Sequence, residues 1–374
     1  MGTNYFLLKS GEFAYNKSYS NGYPVGVVRR LKRYDSGILS PLYICFDMSS
    51  SEVDELYAEH FFDSQWFIDE INQIAKEGAR NHGLLNVGVG EFFDLEFVLP
   101  PLPEQQKIAA ILSSVDDVIE KTRAQIDKLK DLKTGMMQEL LTKGIGSDGV
   151  PHTEFKDSPV GRVPVSWEIV RLGDVSKVQG GFAFKSADAT DNGCRWLKIA
   201  NVGRGTVVWG EKSFLPNEFL SEYSDFALKE ADIVVALTRP VISGELKVAQ
   251  LMKSDAPSLL NQRVARVIPK LSRVSREYLF TLLSWRKVAN DIEQAIFGTD
   301  PPNVSTKQIE SLCYPLPPRE EQDLIASSLG AVSNRIRTLS NKLDQLRGTK
   351  EALMQDLLTG KVRVNVDQKE SAVA

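Results

Sequence analysis

The chain repeats itself, and the repeat constrains what it can fold into more than any other feature. From Leu99-Pro100-Pro101-Leu102-Pro103-Glu104-Gln105-Gln106 and from Leu316-Pro317-Pro318-Arg319-Glu320-Glu321-Gln322-Asp323 the same register runs for 44 positions without a gap, 18 of them identical. It closes on Gln138-Glu139-Leu140-Leu141-Thr142 and Gln355-Asp356-Leu357-Leu358-Thr359. In the first copy Ile108, Leu112, Val115, Ile119, Thr122, Ile126, Leu129, Lys133, Met136 and Leu140 step by alternating four and three. In the second, Ile325, Leu329, Val332, Ile336, Leu339, Leu343, Leu346, Lys350, Leu353 and Leu357 do the same. That alternation is a heptad seam, and each copy is expected to be one long helix with a single apolar stripe. The double proline ends the preceding segment, and the acidic residues that follow suit a helix N-terminus. A stripe of that length needs a partner, and the nearest is the other copy. Lys133 and Lys350 share one seam position, where a charge either fixes register or snorkels out to water.

Residues 1–98 and about 147–315 are the remaining segments, so the order is globule, helix, globule, helix. Trp167–Leu172, Arg195–Ile199, Asp232–Leu237 and Val264–Ile268 have the short apolar pattern of strands, and 275–296 that of a helix. The fold class expected is α+β. Two strand-rich domains alternate with two long helices, and the helices pair as an antiparallel coiled coil. Leu8–Tyr15 resembles Leu228–Val235, and Asn86-Val87 aligns with Asn303-Val304. The first globule has no counterpart of Trp167 to Phe184, so roughly 70–75 residues of a full unit have no match in it. It is expected to expose core surface and open strand edges.

Composition excludes several classes. No apolar run approaches the ~18 residues of a membrane span, and the N-terminus lacks a signal-peptide pattern. The three cysteines, Cys45, Cys194 and Cys313, are far apart and suggest neither disulfides nor a zinc site. A cytoplasmic location is the expectation. The net charge is −4, so any nucleic-acid face must be local. Residues 147–315 carry 21 Lys and Arg against 20 Asp and Glu, whereas residues 1–98 carry 8 against 14.

These residues resemble the specificity subunits of Type I restriction–modification systems. The resemblance is carried by Leu-Pro-Pro-Leu-Pro-Glu-Gln-Gln (99–106), Leu-Pro-Pro-Arg-Glu-Glu-Gln (316–322), Leu140-Leu141-Thr142 and Leu357-Leu358-Thr359-Gly360-Lys361. The opening of the second globule is similar too, with Trp167, Leu172-Gly173-Asp174 and Gly180-Gly181-Phe182-Ala183-Phe184-Lys185-Ser186. The resemblance implies a partial target-recognition domain over 1–98, a central conserved helix over 99–146, a second recognition domain over 147–315, a distal conserved helix over 316–364 and a flexible tail over 365–374. It implies a subunit that reads a split double-stranded DNA target, with a spacer set by the coiled coil. Methyltransferase and restriction/translocase subunits would dock on it and carry the chemistry. S-adenosylmethionine, ATP and magnesium belong to those partners, and no cofactor or metal is expected in this chain. Two alternatives follow from the short first domain: a subunit that self-associates into a homodimer to rebuild a recognition face, and a non-productive inhibitory scaffold for the methyltransferase.

An enzymatic reading finds little support. Asp300-Pro301-Pro302-Asn303 resembles the Asp-Pro-Pro-Tyr motif of adenine methyltransferases, but Asn303 replaces the aromatic that stacks on a flipped base, and a rigid turn accounts for the prolines. Gly88-Val89-Gly90 and Gly203-Arg204-Gly205 are weak isolated triplets, and His60, His82 and His152 have no metal or nucleophile spacing. Phosphate is held by Lys and Arg, and base edges are read by Arg, Asn and Gln. The DNA-facing candidates are therefore Lys185, Lys198, Arg204, Arg239, Asn261, Gln262 and Arg263 in the second globule. In the first they are Tyr15, Asn16, Lys17, Arg29, Arg30, Lys32 and Arg33. Each charge is also readable as a solvated surface residue. Phe182 and Phe184 alternate as core side chains of a strand do.

Overall fold

The computed structural model describes residues 5–18, 22–77, 85–146, 148–210, 213–298 and 300–366. Of the tail expected over 365–374, residues 367–374 lie outside the described residues. Both repeats form single helices of 39 residues, Leu102–Leu140 and Arg319–Leu357, each about 58 Å long at 1.5 Å per residue. The chain forms two compact units, and the division cuts each long helix: Met1–Asp127 with Arg337–Ala374, and Lys128–Ile336.

In the first unit β2 (Phe13–Asn16) lies between β3 (Val27–Arg30) and β5 (Tyr43–Phe46), while β1 (Phe6–Lys9) pairs with β4 (Ser36–Leu39) as a separate ribbon. Helix α1 (Glu55–Phe62) starts where the Asp54 side chain accepts from the Tyr57 N–H. Phe13, Tyr15, Val28, Ile44, Phe61, Phe67 and Phe92 fill the core. The N-terminal half of the first long helix lies against the C-terminal half of the second. Ile108, Ala109 and Leu112 share one apolar cluster with Met354, Leu357, Leu358 and Tyr57.

The second unit has two four-stranded sheets. The first runs in the order β6 (Ser176–Gly180), β13 (Val264–Pro269), β10 (Ile233–Ala236), β11 (Val248–Gln250). The second runs β8 (Phe214–Leu215), β7 (Cys194–Leu197), β12 (Ser258–Leu260), β9 (Ala227–Leu228), with β7 parallel to β12. The helix expected over 275–296 is two helices, Arg276–Leu283 and Arg286–Ala295. The backbone turns extended at Trp285, whose indole is buried in the core, and periodicity alone does not mark such a break. That core also holds Met137 from the first long helix and Leu141 just past its end, with Ile325, Ala326 and Leu329 from the second. In each unit, then, the start of one long helix meets the end of the other, and the helices run antiparallel.

The repeated Glu-Gln pair explains how each helix is anchored. Gln105 accepts from the Asp54 N–H at 2.8 Å and donates to the carbonyls of Glu52 and Pro100. Gln322 accepts from the Ser275 N–H at 2.9 Å and donates to Arg273 and Pro317. Each glutamine thus holds the N-cap of a helix in its own globule. Each glutamate grips the chain leaving the other long helix. Glu104 accepts from the Arg363 guanidinium and the Val364 N–H, and Glu321 accepts from the Ile145 N–H and the Trp167 indole, with His152 at 2.9 Å. Gly144, at φ +68°, has no room for a Cβ, which would meet Glu321 and Trp167. Tyr57 and Tyr278 complete the parallel by donating to the carbonyls of Val98 and Pro315.

Along the seam Ile108, Leu112, Ile119, Ile126, Ile325, Leu329, Leu339, Leu343 and Leu357 are buried. Val115, Leu129, Met136, Leu140, Val332, Ile336, Leu346 and Leu353 are half-buried. The two seam lysines differ. Lys350 pairs with Asp116 at 2.7 Å, but the residue in the register of Asp116 in the second copy is Ser333. Burial accordingly pushes the Lys133 ammonium below its usual range.

Candidate nucleic-acid interface

In the second unit, three segments meet beyond the ends of β10 and β13. The turn Asn261–Arg263 joins β12 to β13, and Thr238-Arg239 follows β10. Asn303-Val304 is stitched alongside by the Arg239 N–H to the Pro302 carbonyl at 2.8 Å and the Val304 N–H to the Leu237 carbonyl at 2.9 Å. Leu237, Thr238, Gln262, Arg263, Pro301, Asn303 and Val304 line a hollow of about 300 Å³. The Thr238 hydroxyl bonds Asn303, whose side-chain amide donates to the Pro301 carbonyl at 3.0 Å. Arg239 sits at φ +45° with an exposed side chain, and Gln262 and Arg263 are exposed beside it. Among the described residues neither guanidinium has an ion-pair partner. Two free guanidiniums next to amide and hydroxyl groups can hold phosphate and address base edges together.

Asn261 is half-buried and spends its side-chain oxygen on the Arg263 N–H. The other candidates of this unit are differently placed. Lys198 folds over the Trp196 ring at 3.9 Å and donates to Ser213, while Arg204 pairs with Glu245 at 2.9 Å. Lys185 is exposed. Phe182 and Phe184 stack in an aromatic cluster with Phe219, Tyr223 and Phe226.

Three of the four cations in the basic run of the first unit are neutralised. Glu55, Glu59 and Asp63 lie four residues apart along α1 and its C-cap and face β3. Arg29 pairs with Asp63 at 2.7 Å, Arg30 with both Glu55 and Glu59, and Lys32 with Glu59. Arg33 is exposed. Tyr15 is not a surface group. It is fully buried, its ring stacks on Phe92 and its hydroxyl donates to the Val25 carbonyl, so burial pushes its pKa far up. Asn16 turns back to the Ser18 N–H, and Lys17 reaches toward the Val87 carbonyl at 3.5 Å. A count of basic residues in sequence cannot show that acids from a later helix will meet them.

Sequence reasoning missed Thr238 and the role of Asn303. The Pro-Pro turn was the available signal, since it is what carries Asn303 to Thr238. No helix among the described residues is long and apolar enough to cross a membrane, and none of them form a group of three or more His, Cys, Asp or Glu suited to a metal ion.

Comparison with known proteins bears on what this surface belongs to. The family model described as type I restriction modification DNA specificity domain matches residues 59–131 and 164–347. The chain is 36% identical over 328 residues to the type I restriction enzyme MjaVIII specificity subunit of Methanocaldococcus jannaschii, covering 88% of this chain and 75% of that protein. It is 38% identical over 180 residues to the EcoAI specificity subunit of Escherichia coli, covering 48% of this chain and 30% of that one. Its fold is similar to that of a type I restriction–modification S subunit from M. genitalium, with a TM-score of 0.60 and 14% identity over 94% and 83% of the two chains. The family model covers more than half of the chain and the MjaVIII relative most of it, so this chain is a member of the type I restriction–modification specificity-subunit family.

Proposed function

We propose that this chain reads DNA through the surface formed by Arg239, Gln262, Arg263, Thr238 and Asn303. It would do so as the recognition subunit of a complex whose methyltransferase and restriction subunits dock on it and carry the catalysis, with S-adenosylmethionine, ATP and magnesium. The target is split, and the long helices set its spacer. The observation that carries this reading is the pair of unpaired guanidiniums beside amide groups in the second unit. The ion-paired run Arg29–Lys32 assigns the first unit a smaller share of the phosphate contacts.

The test is a DNA-binding titration of the full chain at several salt concentrations. A reading subunit binds specific sequence with a slope of about −0.9 per phosphate contact in log affinity against log salt. A shallow slope without sequence preference would favour the inhibitory scaffold. Docking is tested separately by the intact mass of complexes formed with the methyltransferase subunits. Two such subunits per chain are expected.

A further inference from the structure

Beside the proposed reading surface an aromatic ring stands in water. Phe297 follows the helix Arg286–Ala295 and is 92% exposed, whereas the other exposed large apolar side chains among the described residues reach at most 72%. It makes no stacking or cation contact among the described residues. The backbone holds it there. Ile296 turns into the core, the Phe297 N–H donates to the Gln294 carbonyl at 3.4 Å, and Gly298 takes φ +82°. With one neighbour inside and a glycine closing the turn, the phenyl ring is carried outward.

Four residues further on, Pro301 lines the hollow together with Asn303, Gln262 and Arg263. Four residues span at most about 14 Å, so the Phe297 backbone lies within about four base-pair steps of that hollow. The nearest charges in the sequence, Glu293 and Asp300, are exposed carboxylates. They repel phosphate. Of the groups that DNA offers, the ring therefore suits the flat apolar faces of the bases, while the guanidiniums of Arg239 and Arg263 suit the phosphates and base edges.

We infer that Phe297 inserts between two adjacent base pairs of the DNA held at Arg239, Gln262 and Arg263. This deepens the reading proposed above and rests on it. An apolar wedge unstacks a base step, and burial of the ring offsets the cost. Phe182 and Phe184 would have to leave an aromatic cluster to do this, but Phe297 gives up no ring contact within its own chain. Pyrimidine–purine steps unstack most readily, so the wedge adds sequence preference at a position where no polar group reads a base edge.

The test uses the full chain and the duplexes it selects from a random library, with 2-aminopurine placed at successive steps to report unstacking. Wild type should brighten the probe at one step. Phe297→Ala, with an unchanged circular dichroism spectrum, should abolish that signal and weaken binding roughly tenfold, the scale of one stacked base, without changing the salt slope. Phe297→Trp should restore both. Arg239→Ala separates the two claims, because it should weaken binding and flatten the slope. If Arg239→Ala weakens binding and Phe297→Ala does not, the insertion is overturned while the reading surface stands, and the ring is left to a protein partner. Tenfold loss in Phe297→Ala with no brightening in wild type overturns insertion as well. If no duplex is selected, or neither variant matters, the reading surface itself fails and the insertion with it.

Discussion

At the scale of single residues, the proposed DNA surface and the buried polar anchors make different demands. Arg239→Ala and Arg263→Ala should each weaken DNA binding about tenfold and flatten the salt slope by about one contact, measured by fluorescence anisotropy. Arg29→Ala, which removes a cation already paired with Asp63, should change affinity by less than about twofold. His60 is buried with its Nε2 at 3.1 Å from the Ser113 hydroxyl, and burial together with nearby Lys350 holds its pKa below the ordinary value. The unfolded chain then binds the proton more readily. The stability conferred by neutral His60 is full above about pH 6.5 and is lost as pH falls below it toward the depressed folded value. A urea midpoint followed from pH 7.5 to 5.5 should drop, and His60→Asn should reduce that drop.

At the scale of elements, the long helices are equivalent in sequence but not in electrostatics. Lys133→Leu removes a partly desolvated cation that has Ser333 where its counterpart has a carboxylate, and should raise the thermal midpoint by about 2–4 °C. Lys350→Leu leaves Asp116 without its partner and should lower it. Differential scanning calorimetry separates the two signs. Glu321 accepts from the Trp167 indole and the Ile145 N–H while nearly fully buried. Glu321→Ala should therefore cost about 3 kcal/mol in chemical denaturation followed by tryptophan fluorescence, because buried donors lose their acceptor. Helix boundaries and the seam follow from double prolines and heptads. The break at Trp285 does not, because a buried indole at a turn satisfies helical periodicity on both sides of it.

For the whole molecule, the proposed spacer makes a geometric prediction. Inserting one heptad in each long helix lengthens it by about 10.5 Å, which should move the two half-sites about three base pairs apart. Selection of bound sequences from a random library reads this directly, and an unchanged spacer would count against the helices as the ruler. The division into units inside both helices reflects where apolar side chains collect: each globule closes its core with the start of one helix and the end of the other.

The sequence by itself determined the repeat, the two helices, their seam and the family. These depend on local periodicity and on residues that recur at a fixed offset, and both survive as a string. Tertiary structure alone decided which basic residues are free. Arg29, Arg30 and Lys32 meet carboxylates more than twenty residues away, whereas Arg239 and Arg263 meet none among the described residues. It also decided that Tyr15 belongs to the core, that Asn303 joins Thr238, and that Ile38 is exposed in the chain where Leu259 is covered. Each outcome depends on which distant segment packs against the residue, and no local pattern encodes that.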